Sequence, residues 1–325
     1  MPAAADYAHR AAVAGEDEVR FNPSDLGSWQ RWTLGLASVA DEQFARGEIT
    51  GSIVTRRALV ALEKDPRVPS SLGPIVWFRW VDLAFAEAEM GDIAAATASV
   101  AAFKRGAGEY VAQLNPDDAR HKLLSGPEQG INGAIQLIAG SFQEAFDNAS
   151  AMVKRTEAVE IAKDDLSGNL FKNDILRGNL ETAARAAIHL GRHHEAEMLA
   201  RKWLDVPVDD TSETDWRSRR SRASAVLAHA LALQGRSQEA IETLGPALDY
   251  YREEQRAGAT STDFRADFAY ALTVDAIARS DNVAERAHRD ASLDGAQRLL
   301  DGASTEAKRM ATYRQIADLI ATTRG

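Results

Sequence analysis

The densest group of side chains capable of chemistry lies near the middle of the chain. Within nine residues the sequence places His189, His193, His194, Glu195 and Glu197. Imidazole nitrogens and carboxylate oxygens are common zinc ligands, so this segment could form a metal site. However, Gly191 interrupts the segment just after an apolar run, which predicts a turn between two helices. Because the side chains would then lie on both sides of an exposed turn, we favour a solvated turn, and we expect no metal and no cofactor.

A second group of side chains is basic. It consists of Arg217, Arg219, Arg220 and Arg222. A run of this kind could bind an anion or an acidic peptide. Alternatively, the arginines compensate the acidic residues in segment 205–215, in ion pairs worth about 0–1 kcal/mol each at a surface. We favour charge compensation, but cations near a helix N-terminus oppose the helix dipole, which keeps the binding interpretation open.

A third group is aromatic and lies in residues 74–90. Trp77 and Trp80 share one side of the predicted helix, and Phe78 and Phe85 share another. A helix that is apolar nearly all round is either buried on all sides or presents an aromatic strip to a ligand. We favour burial and keep a peptide-binding strip as the alternative.

The composition limits what these groups can do. The chain has 325 residues, of which 45% are hydrophobic, and a formal net charge of −10. Its charge makes it a poor candidate for binding nucleic acid or an anionic membrane. It has no cysteine, which excludes a disulfide scaffold, thiolate catalysis and a thiolate zinc site. The chain contains 60 alanines and 9 prolines, a balance that favours helix.

No apolar stretch is long enough to span a membrane, and the N-terminus lacks the basic start and apolar run of a signal peptide. We therefore expect a cytoplasmic protein, or alternatively a soluble piece of a longer or exported one. Residues 1–22 are alanine-rich but charged, and we expect them to be a flexible lead-in. Residues 23–325 are expected to form a single domain.

Enzyme motifs that depend on strands are missing from the sequence. No useful run of alternating β-branched residues occurs, so a doubly wound sheet with a dinucleotide or P-loop site is not expected. The sequence also lacks a G-x-S-x-G elbow, an H-E-x-x-H motif and an EF-hand loop. We therefore expect a protein that is not an enzyme.

The clearest organising feature is a pair of predicted helices in residues 221–252. Leu227, Ala228 and Leu231 form one helical face, and Gly235 then ends the helix. A second amphipathic pattern begins at Ala240. Two helices joined by a tight glycine turn form an αα-hairpin.

The same pattern recurs along the chain. Its turns are predicted at Gly47, Gly91, Gly140, Gly191, Gly235 and Asp281-Asn282. These positions are 44 to 51 residues apart. The sequence therefore predicts a repeated hairpin over most of its length.

On these residues the chain resembles the tetratricopeptide-repeat (TPR) family, in a variant with a period longer than the usual ~34 residues. It is similar to the longer-period superhelices in sensor and scaffold regions of bacterial regulators. The resemblance implies an all-α, right-handed α-solenoid of about six antiparallel helical hairpins. A final helix, predicted over residues 304–323, would cap the last hairpin.

The resemblance also implies a binding surface, because the first helix of each hairpin lines the concave groove in this family. Carried over by position, the groove residues include Phe78, Val81, Phe85, Arg185, Arg222 and His229. The Lys and Asn residues with which some family members hold a peptide's terminal carboxylate do not occur at these positions.

We therefore expect a non-enzymatic scaffold or regulatory module that binds a protein or peptide with apolar anchors and some acidic character. The alternative is a small-molecule-sensing module of a larger bacterial signalling or transcription-regulatory protein. Neither nucleic acid nor membrane insertion is expected.

Overall fold

The computed structural model describes residues 2–116, 118–207, 213–280 and 282–325, and over these ranges it contains helices and no strands. The α-helices, in chain order, are α1 (Pro2–Phe21), α2 (Leu26–Ala45), α3 (Ile49–Ala61), α4 (Gly73–Glu89), α5 (Ile93–Val111), α6 (Ala119–Leu124), α7 (Glu128–Ala139), α8 (Phe142–Glu157), α9 (Leu166–His189), α10 (His193–Asp205), α11 (Glu213–Leu233), α12 (Ser237–Arg256), α13 (Thr262–Ala278), α14 (Arg286–Asp301) and α15 (Ala311–Arg324). The predicted all-α fold is confirmed.

Five predicted glycine turns join consecutive helices into hairpins. Their φ angles are positive, at 77° for Gly47, 83° for Gly91, 82° for Gly140, 72° for Gly191 and 75° for Gly235. Glycine adopts this left-handed conformation without the steric cost that a Cβ brings, so it ends the first helix of a pair. The sixth predicted turn lies between α13 and α14 and includes residue 281, which lies outside the described residues.

Small residues hold the two helices of a hairpin close together. Ala228 in α11 and Ala240 in α12 are both fully buried. In the preceding hairpin, Ala184 and Ala196 are buried in the same way. Because alanine projects a single methyl group, the helix backbones can approach closely at these points. This is the packing that the TPR-like pattern predicts, and the TPR-like architecture is confirmed.

The chain divides into two compact units. Unit 1 comprises Met1–Ile131 and Ser304–Met310, and unit 2 comprises Asn132–Ala303 and Ala311–Gly325. The C-terminal part therefore contributes a short segment to unit 1 before α15 joins unit 2. That residues 23–325 form a single domain stays a prediction.

The N-terminal residues of unit 1 form helix α1, where the sequence suggested a flexible lead-in. Helix α1 packs against α2, and Val19 is 2% exposed within the core around Trp29. A Cβ added at Gly35 would lie 2.7 Å from the Cα of Ala12, so the two backbones are nearly in contact. The alanines and glycines of this region supply this close approach, and the flexibility of residues 1–22 stays a prediction.

Residues 304–310 pack within unit 1 against the turn between α2 and α3. Ser304 Oγ donates a hydrogen bond to the Gly47 carbonyl at 2.7 Å, and Glu306 Oε2 accepts one from the Thr50 amide at 2.9 Å. This segment was predicted to begin the final helix. Its contacts with the α2–α3 turn explain why the final helix begins only at Ala311.

In unit 2 the helices from α8 to α14 pack in sequence order, and the first helix α11 also contacts the first helices α9 and α13. Helix α15 packs on α13 and α14, as predicted for a cap on the last hairpin. The buried Tyr313 hydroxyl of α15 donates a hydrogen bond to the Thr262 carbonyl at 2.9 Å. Gln315 Nε2 reaches α7, where it lies 3.3 Å from the Leu137 carbonyl and 3.2 Å from the Ile138 carbonyl.

The substitution Ala240→Leu tests the hairpin packing. Because Ala240 is 0% exposed, a larger side chain must overpack the α11–α12 contact, and we expect a loss of roughly 1–3 kcal/mol in unfolding free energy. The control is Ala98→Leu, at an exposed position of α5. Chemical denaturation should separate the two variants, and equal stability would contradict this packing.

The substitution Gly35→Ala tests the docking of α1. Its Cβ would press on the Ala12 backbone, which cannot rotate away as a side chain can, so we expect a lower melting temperature and faster proteolysis of residues 1–22. The control is Gly108→Ala in α5, where nothing lies within 4 Å of an added Cβ. There, alanine should be neutral or stabilise by roughly 0.5–1 kcal/mol. Unchanged proteolysis of the Gly35 variant would show that α1 is not docked in this way.

Candidate functional site

Three polar side chains occupy equivalent positions on successive first helices of unit 2. Arg185 follows Ala184 in α9, His229 follows Ala228 in α11, and Tyr270 follows Ala269 in α13; all three alanines are 0% exposed. Since the buried alanines fix how each helix is rotated, the residues that follow them project towards one another. His229 Nδ1 lies 2.9 Å from the Tyr270 hydroxyl oxygen, and the Arg185 guanidinium carbon lies 5.1 Å from the centre of the Tyr270 ring.

These three residues line a cavity of about 330 Å³ within unit 2. Aliphatic side chains supply much of the remaining lining, and they come from α7, α9, α11 and α15. They are Leu137, Ile138, Ile188, Leu233, Ile316 and Leu319. His189, His193, Thr312 and Gln315 complete the lining. Helix α15 therefore forms one wall of the cavity, and first helices form much of the rest.

His229 is the most deeply buried titratable group of the cavity, with 4% of its surface exposed. Burial, together with the neighbouring His189, His193 and Arg185, lowers the pKa of His229 to about 3. The ring is therefore neutral at pH 7, with one nitrogen that donates and one that accepts. Nδ1 faces the Tyr270 hydroxyl, and Nε2 has no hydrogen-bond partner among the described residues.

Tyr270 completes this pair. Burial raises the pKa of Tyr270 to about 12, although the Arg185 cation over its ring opposes the shift. The phenol is thus protonated at neutral pH and can donate to or accept from the imidazole. Whichever tautomer His229 adopts, the pair retains hydrogen-bonding capacity that the described residues do not use.

A group of ionised side chains, which we call the charged cluster, lies beside the cavity and comprises Glu181, Arg185, Arg222 and Asp267. Arg185 Nη2 is 3.1 Å from Glu181 Oε1, whereas Arg222 is 3.8 Å from Glu181 and 3.9 Å from Asp267. The two longer distances exceed those of hydrogen bonds. The Nε atoms of both arginines are buried and lack a partner among the described residues.

The charged cluster is partly buried, and the Asp267 side chain keeps 20% of its surface exposed. Burial raises the pKa of Asp267 to about 6, and the nearby Arg222 and Arg185 limit that rise. The Tyr251 hydroxyl, which is also buried, has no hydrogen-bond partner in the described part of the chain. Unpartnered buried polar groups cost free energy, so this part of the fold is less stable than a fully hydrogen-bonded core would be.

Three of the six predicted groove residues lie in unit 2, and the other three lie in unit 1. Arg185, Arg222 and His229 come together in unit 2, where Arg185 and His229 share the cavity and Arg222 reaches Glu181. The other three belong to α4 in unit 1, and they are Phe78, Val81 and Phe85. Phe78 is 40% exposed and stacks on the Trp77 ring with centroids 4.2 Å apart, while Val81 and Phe85 are half-buried.

Sequence reasoning missed Tyr270 and the contribution of α15. Tyr270 could have been found, because it follows a conspicuously small residue, Ala269, at the position that Arg185 and His229 hold in their own helices. The residues Ile316 and Leu319 gave no such signal. Their apolar spacing predicts that α15 has a buried face, but the spacing does not show that this face also encloses a cavity.

The histidine segment is divided by the turn at Gly191, as expected. His189 and His193 line the cavity, whereas the His194 side chain is 79% exposed. Glu197 instead accepts hydrogen bonds from Arg201 Nε at 3.0 Å and Arg236 Nη1 at 2.7 Å. Among the residues that the structure describes, no three potential ligands are grouped to hold a metal ion.

The arginine run makes contacts with neighbouring helices. Arg217 pairs with Glu253 of α12, and Arg219 Nη1 lies 2.9 Å from Asp174 Oδ1 of α9. The acidic segment that was expected to compensate them includes residues 208–212, which lie outside the described residues. Arg222 is the member of the run that lies in the charged cluster beside the cavity.

Comparison with known proteins gives a likeness in fold. No family model matches the chain, and no curated protein matches it. One similar solved structure contains nearly identical TPR-like repeats of a Podosopora anserina kinesin light chain. It is 18% identical with a TM-score of 0.44, and the match covers 72% of this chain and 98% of that one.

The class of this protein, an all-α TPR-like helical repeat, rests on the hairpins themselves. No helix in the described ranges is long and apolar enough to cross a bilayer.

The pH dependence of unfolding tests the environment of His229. Its pKa falls from an ordinary 6.5 to about 3 on folding, so its stabilising contribution is complete above pH 6.5 and is lost as the pH falls towards 3. His229→Gln should flatten the decline of unfolding free energy below pH 6.5 by up to about 1.4 kcal/mol per pH unit. His194→Gln, at the exposed position, is the control. A His229 variant with the parent's pH dependence would contradict the buried neutral imidazole.

Proposed function

We propose that this chain is a non-enzymatic binding module, and that the cavity and charged cluster of unit 2 bind an apolar, partly acidic segment of a partner protein. The observation that supports this best is the convergence of Arg185, Arg222, His229 and Tyr270 from three successive first helices beside an apolar cavity. Such an arrangement offers one pocket for an anchor side chain and two partly exposed guanidinium groups for acidic groups.

The size and chemistry of the site define the segment it would take. A volume of about 330 Å³ is near the lower end of ligand pockets and suits one large apolar side chain. The guanidinium groups of Arg185 and Arg222 lie near the cavity, and their side chains are 23% and 34% exposed. An Asp or Glu beside the anchor would pair with these cations.

The same geometry argues against acid–base catalysis at this site. A general base works best when its pKa is near the operating pH, whereas burial lowers the pKa of His229 to about 3. Its hydrogen-bond partner is the Tyr270 phenol, and burial raises the pKa of that group to about 12. The pair is therefore better suited to hold a ligand by hydrogen bonds than to move its protons.

Helix α4 is the second surface in the proposal. Phe78 presents an exposed apolar ring, and Val81 and Phe85 continue the same side of the helix. Aromatic side chains at a surface often anchor binding partners. These residues would form a separate apolar contact surface within unit 1.

A displayed library of random peptides tests the proposed binding. Selected peptides should share a large apolar residue next to Asp or Glu, and Arg222→Ala should weaken their binding by roughly tenfold or more, as expected for a lost bond to a charged group. The matched control is Arg219→Ala, which removes an arginine from the same helix but outside the charged cluster. Phe78→Ala reports on α4 in the same assay.

Selection of peptides without this pattern, or equal affinity of the Arg222 and Arg219 variants, would reject the proposed use of the charged cluster. Circular dichroism on each variant separates lost binding from lost folding.

A second candidate function is small-molecule sensing, and the position of α15 supports it. Ile316 and Leu319 of α15 line the cavity, and Gln315 ties this helix to the carbonyls of α7. A cavity occupant would touch α15 and the first helices at once. Its binding energy would therefore favour one position of α15 over others, which is how a ligand shifts a conformational equilibrium.

A further inference from the structure

The cavity lining combines cationic and neutral donor groups with aliphatic surface, and it contains no acidic side chain among the described residues. Its titratable members are Arg185, His189, His193, His229 and Tyr270. Six aliphatic residues, already named, supply the apolar part. A ligand that matches this lining has an apolar body and a group that accepts hydrogen bonds.

Two donor groups in the lining specify that acceptor more closely. His229 is 4% exposed, and its Nε2 has no partner in the described part of the protein. Arg185 also lines the cavity, and its side chain is 23% exposed. The guanidinium of Arg185 carries five N–H donors, and His229 Nε2 carries a hydrogen when Nδ1 accepts from Tyr270. A guanidinium and an imidazole N–H in one lining can each donate to an oxygen of a carboxylate.

The charge balance favours a monoanion over a phosphate group. Glu181 already lies 3.1 Å from the Arg185 guanidinium and compensates part of its charge. His229 is held neutral by its burial, so it adds no positive charge to the cavity. A dianion would bring more negative charge than one partly compensated arginine can offset, whereas a single carboxylate would not.

The volume limits the size of the ligand. A space of about 330 Å³ corresponds to roughly ten non-hydrogen atoms, if each takes about the ~30 Å³ that a water molecule occupies in the liquid. Medium-chain fatty acids and short arylalkanoic acids have this size.

We propose that the cavity binds a small free carboxylic acid with an aliphatic or aryl body, its carboxylate held by Arg185 and His229 and its body enclosed by Ile188, Ile316 and Leu319. The proposal rests on the ligand-sensing candidate function and names the ligand class for it. Because Ile316 and Leu319 belong to α15, the bound acid would hold this helix against the first helices.

Titration calorimetry on the full chain tests the proposal with octanoate and 3-phenylpropionate, and with octanamide as the uncharged control. We expect at least one acid to bind and the amide to bind at least about tenfold more weakly. Hydrogen exchange in α15 should slow when the acid is bound. Equal binding of acid and amide would overturn the carboxylate assignment, and absence of binding by both acids would overturn the proposal.

Three variants locate the ligand. Arg185→Gln removes the cation, and Leu319→Trp fills the cavity while leaving the charged cluster intact, so binding should fall at least about tenfold in both. The second variant keeps the test valid if the first fails to fold. Arg219→Gln, outside the cavity, should bind as the parent does. Unchanged affinity in Leu319→Trp would place the acid elsewhere and reject this site.

A peptide arm separates this proposal from the protein-binding one. A short peptide ending in leucine with a free C-terminus is compared with its amidated form. If the free peptide binds in the cavity and neither small acid does, the small-acid proposal fails while peptide binding stands. If the acids bind and the peptide selection with its Arg222 control fails, ligand sensing stands and the protein-binding proposal fails.

Discussion

The fold depends on fully buried alanines in the first helices of its hairpins. Ala184, Ala228 and Ala269 each have no exposed surface, and each sits on the first helix of its hairpin. A fully buried alanine leaves no room for a larger side chain, so it fixes the rotation of its helix about the helix axis. The residue after each alanine is therefore directed to the same side. Arg185, His229 and Tyr270 meet for this reason, and the cavity follows from the packing of the hairpins.

Some buried polar atoms of charged side chains have hydrogen-bond partners in this protein, and others have none among the described residues. Glu87, 3% exposed, accepts from Arg57 Nη2 at 2.8 Å and from Ser99 Oγ at 2.7 Å, so its oxygens are satisfied within unit 1. Arg185 and Arg222 instead retain buried Nε donors without a partner among the described residues. Satisfied ions of the first kind fix the packing of helices. Unsatisfied donors of the second kind cost stability.

The hairpins could be predicted from the sequence because their determinants are local. Gly191 and Gly235 end helices through their own backbone conformation, and Ala228 and Ala240 lie within one hairpin. Helix α1 could not be recognised, because its docking depends on a backbone contact near Gly35 that a charged, alanine-rich sequence does not display. The closure of the cavity was also hidden, since the Gln315 side chain bonds to a carbonyl 178 residues earlier in the chain.

Helix α15 gives the site a property that a row of hairpins lacks. A cap on the last hairpin needs only to cover α13 and α14, and Tyr313 serves this purpose through its bond to the Thr262 carbonyl. The face of α15 with Ile316 and Leu319 has a different role, because it encloses space that the hairpins leave open. Filling that space adds contacts to both α15 and the first helices. Under the ligand-sensing proposal, occupancy of the cavity and the position of α15 would therefore be linked.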